Sequence, residues 1–256
     1  PPLLIMGALV LYSLSLNQIE NQLGKVTVPD TCVKANAKNG VAGYFLDCLS
    51  GVTVENRVLI LGDSYAQLFG VAVSQEIVNA GWELSVVSGD GCTFEYFAKC
   101  GGDLRSLIQD FKPDKIILTS NWTGHIFPVI PVFPFEAEDN CRNFETTATT
   151  CQRFEDGLLE AVKNLDDSIR SFQELGINDI LLVGQSPEFP FDPKSCVRLT
   201  SWQNVFASNQ LRSDCTANYS SFISKRSGKI NETLAKDGKE SGGYDFFNPL
   251  VSLCPD

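Results

Sequence analysis

Four short apolar runs, each ending at a small or polar residue, constrain this chain more than any other feature. They are Val58-Leu59-Ile60-Leu61, Leu84-Ser85-Val86-Val87, Ile116-Ile117-Leu118 and Ile180-Leu181-Leu182-Val183. Runs of this length and composition suit strands buried on both faces of a parallel sheet. Helical spacing fills the gaps between them. Leu68, Phe69, Val71, Ala72, Ile77 and Val78 predict a helix over residues 65–80, stopped at Ala80-Gly81. Leu104, Leu107, Ile108 and Phe111 keep the i, i+3, i+4, i+7 spacing of an amphipathic helix, which Pro113 ends. Phe154, Leu158, Val162, Leu165, Ile169 and Phe172 predict a long helix ending near Gly176. Tyr219, Phe222, Ile223, Ile230 and Leu234 predict another, interrupted at Gly228, and Tyr244-Asp245-Phe246-Phe247 reads as a fifth strand. Strands alternating with helices imply a three-layer α/β/α sandwich around a mostly parallel, flavodoxin-like sheet of about five strands.

The charge balance narrows the partners. A formal net charge of −11 with no basic stripe argues against nucleic acid, because phosphate contacts need clustered Lys and Arg. A single histidine, His125, excludes a poly-His metal site, and no cofactor is expected. The nine cysteines stand at 32, 48, 92, 100, 141, 151, 196, 215 and 254, and none forms a C-x-x-C pair. That spacing fits zinc or an iron–sulfur cluster poorly; it fits disulfides outside the cytosol, with buried free thiols as the alternative. Pairing sequence neighbours gives Cys32–Cys48, Cys92–Cys100, Cys141–Cys151 and Cys196–Cys215, and leaves Cys254 unpaired.

The two ends carry further expectations. No charge precedes Glu20. Residues 1–18 therefore read as the end of a truncated transmembrane helix, short of the ~20 residues a full span needs. A remnant signal sequence and a buried N-terminal segment are the alternatives. Residues 19–55 read as a polar extracytoplasmic linker with a disulfide, and residues 56–256 as the folded domain.

In open α/β sheets ligands bind beyond the carboxyl ends of the strands. The first strand is followed there by Gly62-Asp63-Ser64, and the second by Ser88-Gly89-Asp90-Gly91-Cys92. The third is followed by Ser120-Asn121-Trp122, and the fourth by Gly184-Gln185-Ser186-Pro187-Glu188. A serine at a strand-to-helix turn can act as a nucleophile, with its own amide at a helix N-terminus to hold an oxyanion. Gly91 could add a second backbone amide, and Asn121 a side-chain donor. The plainer readings stand beside these: Asp63 or Ser64 as a helix cap, Gly89 and Gly91 as turn residues. Asn121, Asn218 and Asn231 each also begin a formal glycosylation triplet.

Those residues resemble the SGNH (GDSL-like) hydrolase family. The likeness is closest to its extracytoplasmic domain fused to membrane acyltransferases of type three, which O-acetylate surface polysaccharides. Gly91-Cys92 with Cys100, the strand end Ile117-Leu118-Thr119-Ser120-Asn121-Trp122 and Val183-Gly184-Gln185-Ser186-Pro187-Glu188 carry the resemblance to that branch. It implies Ser64 as nucleophile and oxyanion amide, Gly91 as a second oxyanion amide and Asn121 as the side-chain donor. Asp63 and Trp122 then read as substrate contacts. It also implies an acyl donor supplied by a membrane domain and a surface polysaccharide as acceptor. The family's base, a His in a D-x-x-H motif, has no match; His125 is the only substitute, and the sequence reads as cut before that motif and before a partner for Cys254. Three functions follow: O-acyltransferase, carbohydrate O-acetylesterase, or a non-catalytic glycan-binding ectodomain.

Overall fold

The computed structural model describes residues 29–38, 41–49, 56–89, 104–126, 148–186 and 219–249. In chain order the elements are β1 (Cys32–Lys38), β2 (Val41–Cys48), β3 (Arg57–Gly62), α1 (Ser64–Asn79), β4 (Glu83–Ser88) and α2 (Leu104–Phe111). They continue with β5 (Lys115–Thr119), α3 (Trp122–Ile126), α4 (Ala148–Glu174), β6 (Asp179–Val183), α5 (Tyr219–Ser241) and β7 (Asp245–Phe247). One seven-stranded sheet runs β1-β2-β4-β3-β5-β6-β7. Strands β3 to β7 pair in parallel, whereas β1 and β2 pair antiparallel with each other and β2 antiparallel with β4.

The apolar runs are buried on both faces because consecutive side chains enter opposite cores. From β3, Leu59 and Leu61 join one core while Val58 and Ile60 join the other. Strand β5 divides likewise, with Ile116 and Leu118 on one side and Ile117 on the other. Among the described residues, α1 is the helix that covers the second core, through Ala66, Phe69, Val73 and Ile77. Helices α2 to α5 cover the first, through residues such as Leu107, Trp122, Leu165, Phe172 and Ile230. Fully burying each such side chain contributes roughly 1.5–3 kcal/mol before the cost of ordering the chain. This is the three-layer α/β/α sandwich that the strand–helix alternation implies.

Two features depart from the sequence reading. The stretch read as a linker supplies β1 and β2, so the sheet has seven strands rather than about five. Only one side of this hairpin carries a continuous apolar signal: Phe45, Leu46 and Cys48 are buried, while Val33 and Lys34 are exposed. Helix α5 also runs unbroken through Gly228, where an added Cβ would meet open space. Cys32 and Cys48 face each other in register at the open end of the hairpin and form the expected disulfide. Cys151 falls on α4. The side chains of Cys92, Cys100, Cys141, Cys151, Cys196, Cys215 and Cys254, like residues 1–28, lie outside the described residues.

Where α4 meets α5, two carboxyls approach each other. Burial, the Asp237 charge and a hydrogen bond from the pair's shared proton push Asp166 from 3.8 up to about 6. Asp237 also accepts a 3.0 Å hydrogen bond from the Tyr244 hydroxyl, which burial raises well above the ordinary tyrosine range. Asp166 holds its proton more tightly folded than unfolded. Its stabilising contribution is therefore complete below about pH 4 and is lost as the pH rises through about 6. Arg170 offsets part of the cost, and solvent screens a half-buried pair. Asp166→Asn is expected to raise stability at pH 7.5 by about 1 kcal/mol, or about 2–4 °C in Tm. The difference should close at pH 4, and equal gains at both pH values would exclude this account.

Candidate active site

The parallel strands end level with one another. Gly62 pairs with Ser88 on one side and Thr119 on the other; Thr119 pairs with Val183, and Val183 with Phe247. Ser64, Asn121 and Gln185 each follow two residues beyond one of these ends, along a single edge. The chain leaves β3 for β4 on one side of it, then crosses back to β5 on the other. The connections reverse between β3 and β5, which opens a crevice there. Ser64 and Asn121 flank that reversal.

Asp63 holds the two flanks together. It is the N-cap of α1, its Oδ1 accepting from the Tyr65 amide at 2.8 Å. Its Oδ2 accepts from the Asn121 amide at 2.9 Å. Its carbonyl accepts from the Ser88 hydroxyl at 2.7 Å, and the Gly89 amide donates to the Gly62 carbonyl at 3.2 Å. The loops after β3, β4 and β5 are thereby joined through one residue that is only 6% exposed. This placement makes Asp63 a clasp between loops, where the sequence suggested a substrate contact.

Ser64 is the first residue of α1 and is exposed. The next three amides of the turn are occupied: Tyr65 by the Asp63 carboxylate, Ala66 and Gln67 by the Asp63 carbonyl. Among the described residues nothing accepts from the Ser64 amide, and nothing bonds its hydroxyl. The Asp63 carboxylate at the N-cap already opposes the positive end of the helix dipole, and the first turn of α1 adds no further acidic residue. A free amide next to a free hydroxyl at a helix N-terminus is suited to binding an oxyanion.

The other expected residues separate. Asn121 is half-buried at the opposite flank. Trp122 is completely buried, its Nε1 donating to the Val183 carbonyl at 2.8 Å. It is a core residue that pins the loop after β5, where the sequence suggested a substrate contact. His125 lies on α3, and its side chain, like Gly91, is outside the described residues.

Two buried amides at this edge escaped the sequence reading. Gln185 accepts from the Thr123 amide through Oε1 at 3.0 Å, and its own amide donates to Asn231 Oδ1 at 2.7 Å. Asn231 Nδ2 donates to the Gln185 carbonyl at 3.1 Å and to Asn248 Oδ1 at 2.9 Å. Asn231 is fully buried, so its glycosylation triplet is not accessible in the folded domain. Gln185 lies in the segment after the fourth strand that the resemblance picked out; only its position there pointed to a role.

A mostly parallel sheet sandwiched by helices, with Ser64 and Asn121 following neighbouring strands along one edge, is the arrangement of an SGNH-like α/β domain. The chain belongs to the family described as SGNH domain (fused to AT3 domains), whose model matches residues 31–256. That match begins just before β1 and includes the hairpin within the domain. No curated protein matches the chain. Among solved structures, a putative acylhydrolase from Bacteroides fragilis NCTC 9343 is similar, at 12% identity and a TM-score of 0.42. The alignment covers 76% of this chain and 67% of that one. Among the described residues no helix is long and apolar enough to cross a membrane.

Proposed function

We propose that this domain transfers an acyl group, acetyl in the simplest case, to a hydroxyl of a surface polysaccharide on the extracytoplasmic side of a membrane. The observation that carries the reading is the amide of Ser64, without an acceptor among the described residues, set beside its exposed hydroxyl on the sheet edge that also carries Asn121. The Cys32–Cys48 disulfide supports an oxidising compartment, and the family's fusion to AT3 acyltransferase domains supports transfer over simple hydrolysis.

In this mechanism Ser64 Oγ attacks the acyl carbon and loses its proton to a base. The carbonyl π pair moves onto oxygen, and the Ser64 amide and the Asn121 side chain hold the resulting oxyanion, with the Gly91 amide as a third donor. Collapse expels the donor's leaving group and leaves an ester on Ser64. A sugar hydroxyl then attacks that ester, and Ser64 regains its proton. Water in place of the sugar would make the same site an esterase. The family assigns the base to a D-x-x-H histidine that has no counterpart in this sequence, and the role carries no residue assignment here.

Removing one oxyanion donor typically costs about 10²–10³ in rate. Asn121→Ala should therefore lower kcat of the full-length protein by that factor while acceptor KM changes little. Its amide bond to Asp63 is a backbone bond and survives the substitution. Incubation of wild type with an acyl donor and deacylated polysaccharide should give O-acylated sugar in excess of free acid. Free acid alone would favour the esterase, and wild-type kcat in Asn121→Ala would overturn the oxyanion assignment.

A further inference from the structure

We infer that Gln185, locked in place by Asn231, is a positioning residue for the Asn121 loop. The inference rests on the oxyanion reading of Asn121 and extends it to residues on β6's exit and on α5.

Residues 121–123 are held at three consecutive points by buried groups from two different strands. The Asn121 amide goes to Asp63 Oδ2, the Trp122 indole to the Val183 carbonyl, and the Thr123 amide to Gln185 Oε1. The neighbouring hydroxyls add no further point: Ser120 Oγ and Thr123 Oγ1 are buried without a partner among the described residues. The third point of the clamp is thus a side chain, and a glutamine is flexible unless something fixes it.

Asn231 fixes it. The Gln185 amide and carbonyl both bond the Asn231 side chain, which closes a two-bond ring between the β6 exit and α5. Gln185 Nε2 donates to the Ser186 carbonyl at 3.1 Å, which leaves Oε1 free to face Thr123. Asn231 in turn donates to Asn248, one residue beyond β7. Gln185 and Asn231 are both fully buried. An amide carries its donor and its acceptor on two separate atoms; a carboxylate has no donor and a hydroxyl has both functions on one atom, so neither reproduces these bonds. Gly184 permits the approach, since a Cβ there would lie 2.5 Å from Asn231 Oδ1 and 2.7 Å from Phe246 Cζ. A change in α5 or β7 would accordingly be felt at Asn121, although neither element carries a residue of the proposed chemistry.

The test is a double-mutant cycle on the full-length protein. Gln185→Met keeps the length and removes the acceptor. A displaced oxyanion donor loses rate steeply with distance, so we expect kcat to fall about 10-fold at unchanged acceptor KM. In the Asn121→Ala background the same change should cost less than about 2-fold, because the donor it positions is already gone. A general loss of structure would lower activity equally in both backgrounds, and that result overturns the inference. If Gln185→Met does not fold, Asn248→Ala removes the far acceptor and should show the same dependence on Asn121 at smaller size. Hydrogen exchange provides a readout independent of activity: the Thr123 amide should be protected in wild type and exchange faster in Asn248→Ala. An unprotected Thr123 amide in wild type also overturns the inference. Wild-type activity of Asn121→Ala alone would instead overturn the oxyanion reading, and it needs no Gln185 variant to be seen.

Discussion

Replacing Ser64 with alanine is expected to abolish acyl transfer, by on the order of 10⁴-fold or more, and to leave the fold intact. The two halves of that expectation have separate grounds. The hydroxyl is the only group lost, and a covalent path cannot form without it. The backbone amide, and with it part of the oxyanion site, remains. Stability should stay within about 0.5 kcal/mol, as for other surface changes, because Ser64 is exposed and bonds nothing among the described residues. The N-cap of α1 is Asp63 and is untouched. Transfer to deacylated polysaccharide and release of nitrophenol from its acetate ester measure the first half; a thermal melt measures the second. A fluorophosphonate probe should label wild type at Ser64 by mass spectrometry and leave the variant unlabelled. Transfer within about tenfold of wild type would remove Ser64 from the chemistry. Retention of polysaccharide binding with no turnover in either protein would point to the glycan-binding alternative.

The parallel core of this fold is legible because its strands are buried on both faces. An apolar run such as Ile116-Ile117-Leu118 has nowhere else to go, and β5 contributes to both cores. The hairpin β1–β2 is not legible for the opposite reason. An edge strand with Val33 and Lys34 exposed carries no run to read, and β2 joins the sheet only through β4, which lies 35 or more residues downstream. The same division holds at the site. Ser64 and Asn121 follow strands directly, so their level is fixed by strand register and could be read. Asp63, Trp122 and Asn231 could not, because their roles depend on what they meet across the fold. Asp63 resembles a substrate contact until its carboxylate is seen between the Tyr65 and Asn121 amides. Asn231 begins a glycosylation triplet, yet a neighbouring glycine on β6's exit draws it into the core.

Among the described glycines, Gly62→Ala is expected to be the most damaging substitution. A Cβ at Gly62 would lie 1.7 Å from the Thr119 carbonyl oxygen, 2.9 Å from its carbon and 3.0 Å from Ala66 Cβ. No rotamer change relieves that clash, since the nearest atom is backbone of the strand paired with β3. Either β3 and β5 separate at their carboxyl ends or the turn into α1 moves. Both deform the edge that carries Ser64 and Asn121. A backbone clash of this kind belongs with the severe destabilisations, above about 4 kcal/mol, and the expected outcome is little or no folded protein. Gly228→Ala supplies the comparison. That glycine sits inside α5 with open space around its added Cβ, and alanine there should stabilise by roughly 0.5–1 kcal/mol. Chemical denaturation of the two variants beside wild type reads both signs together. A Gly62→Ala protein that melts within about 1 kcal/mol of wild type would mean that β3 and β5 do not approach as closely as the register requires.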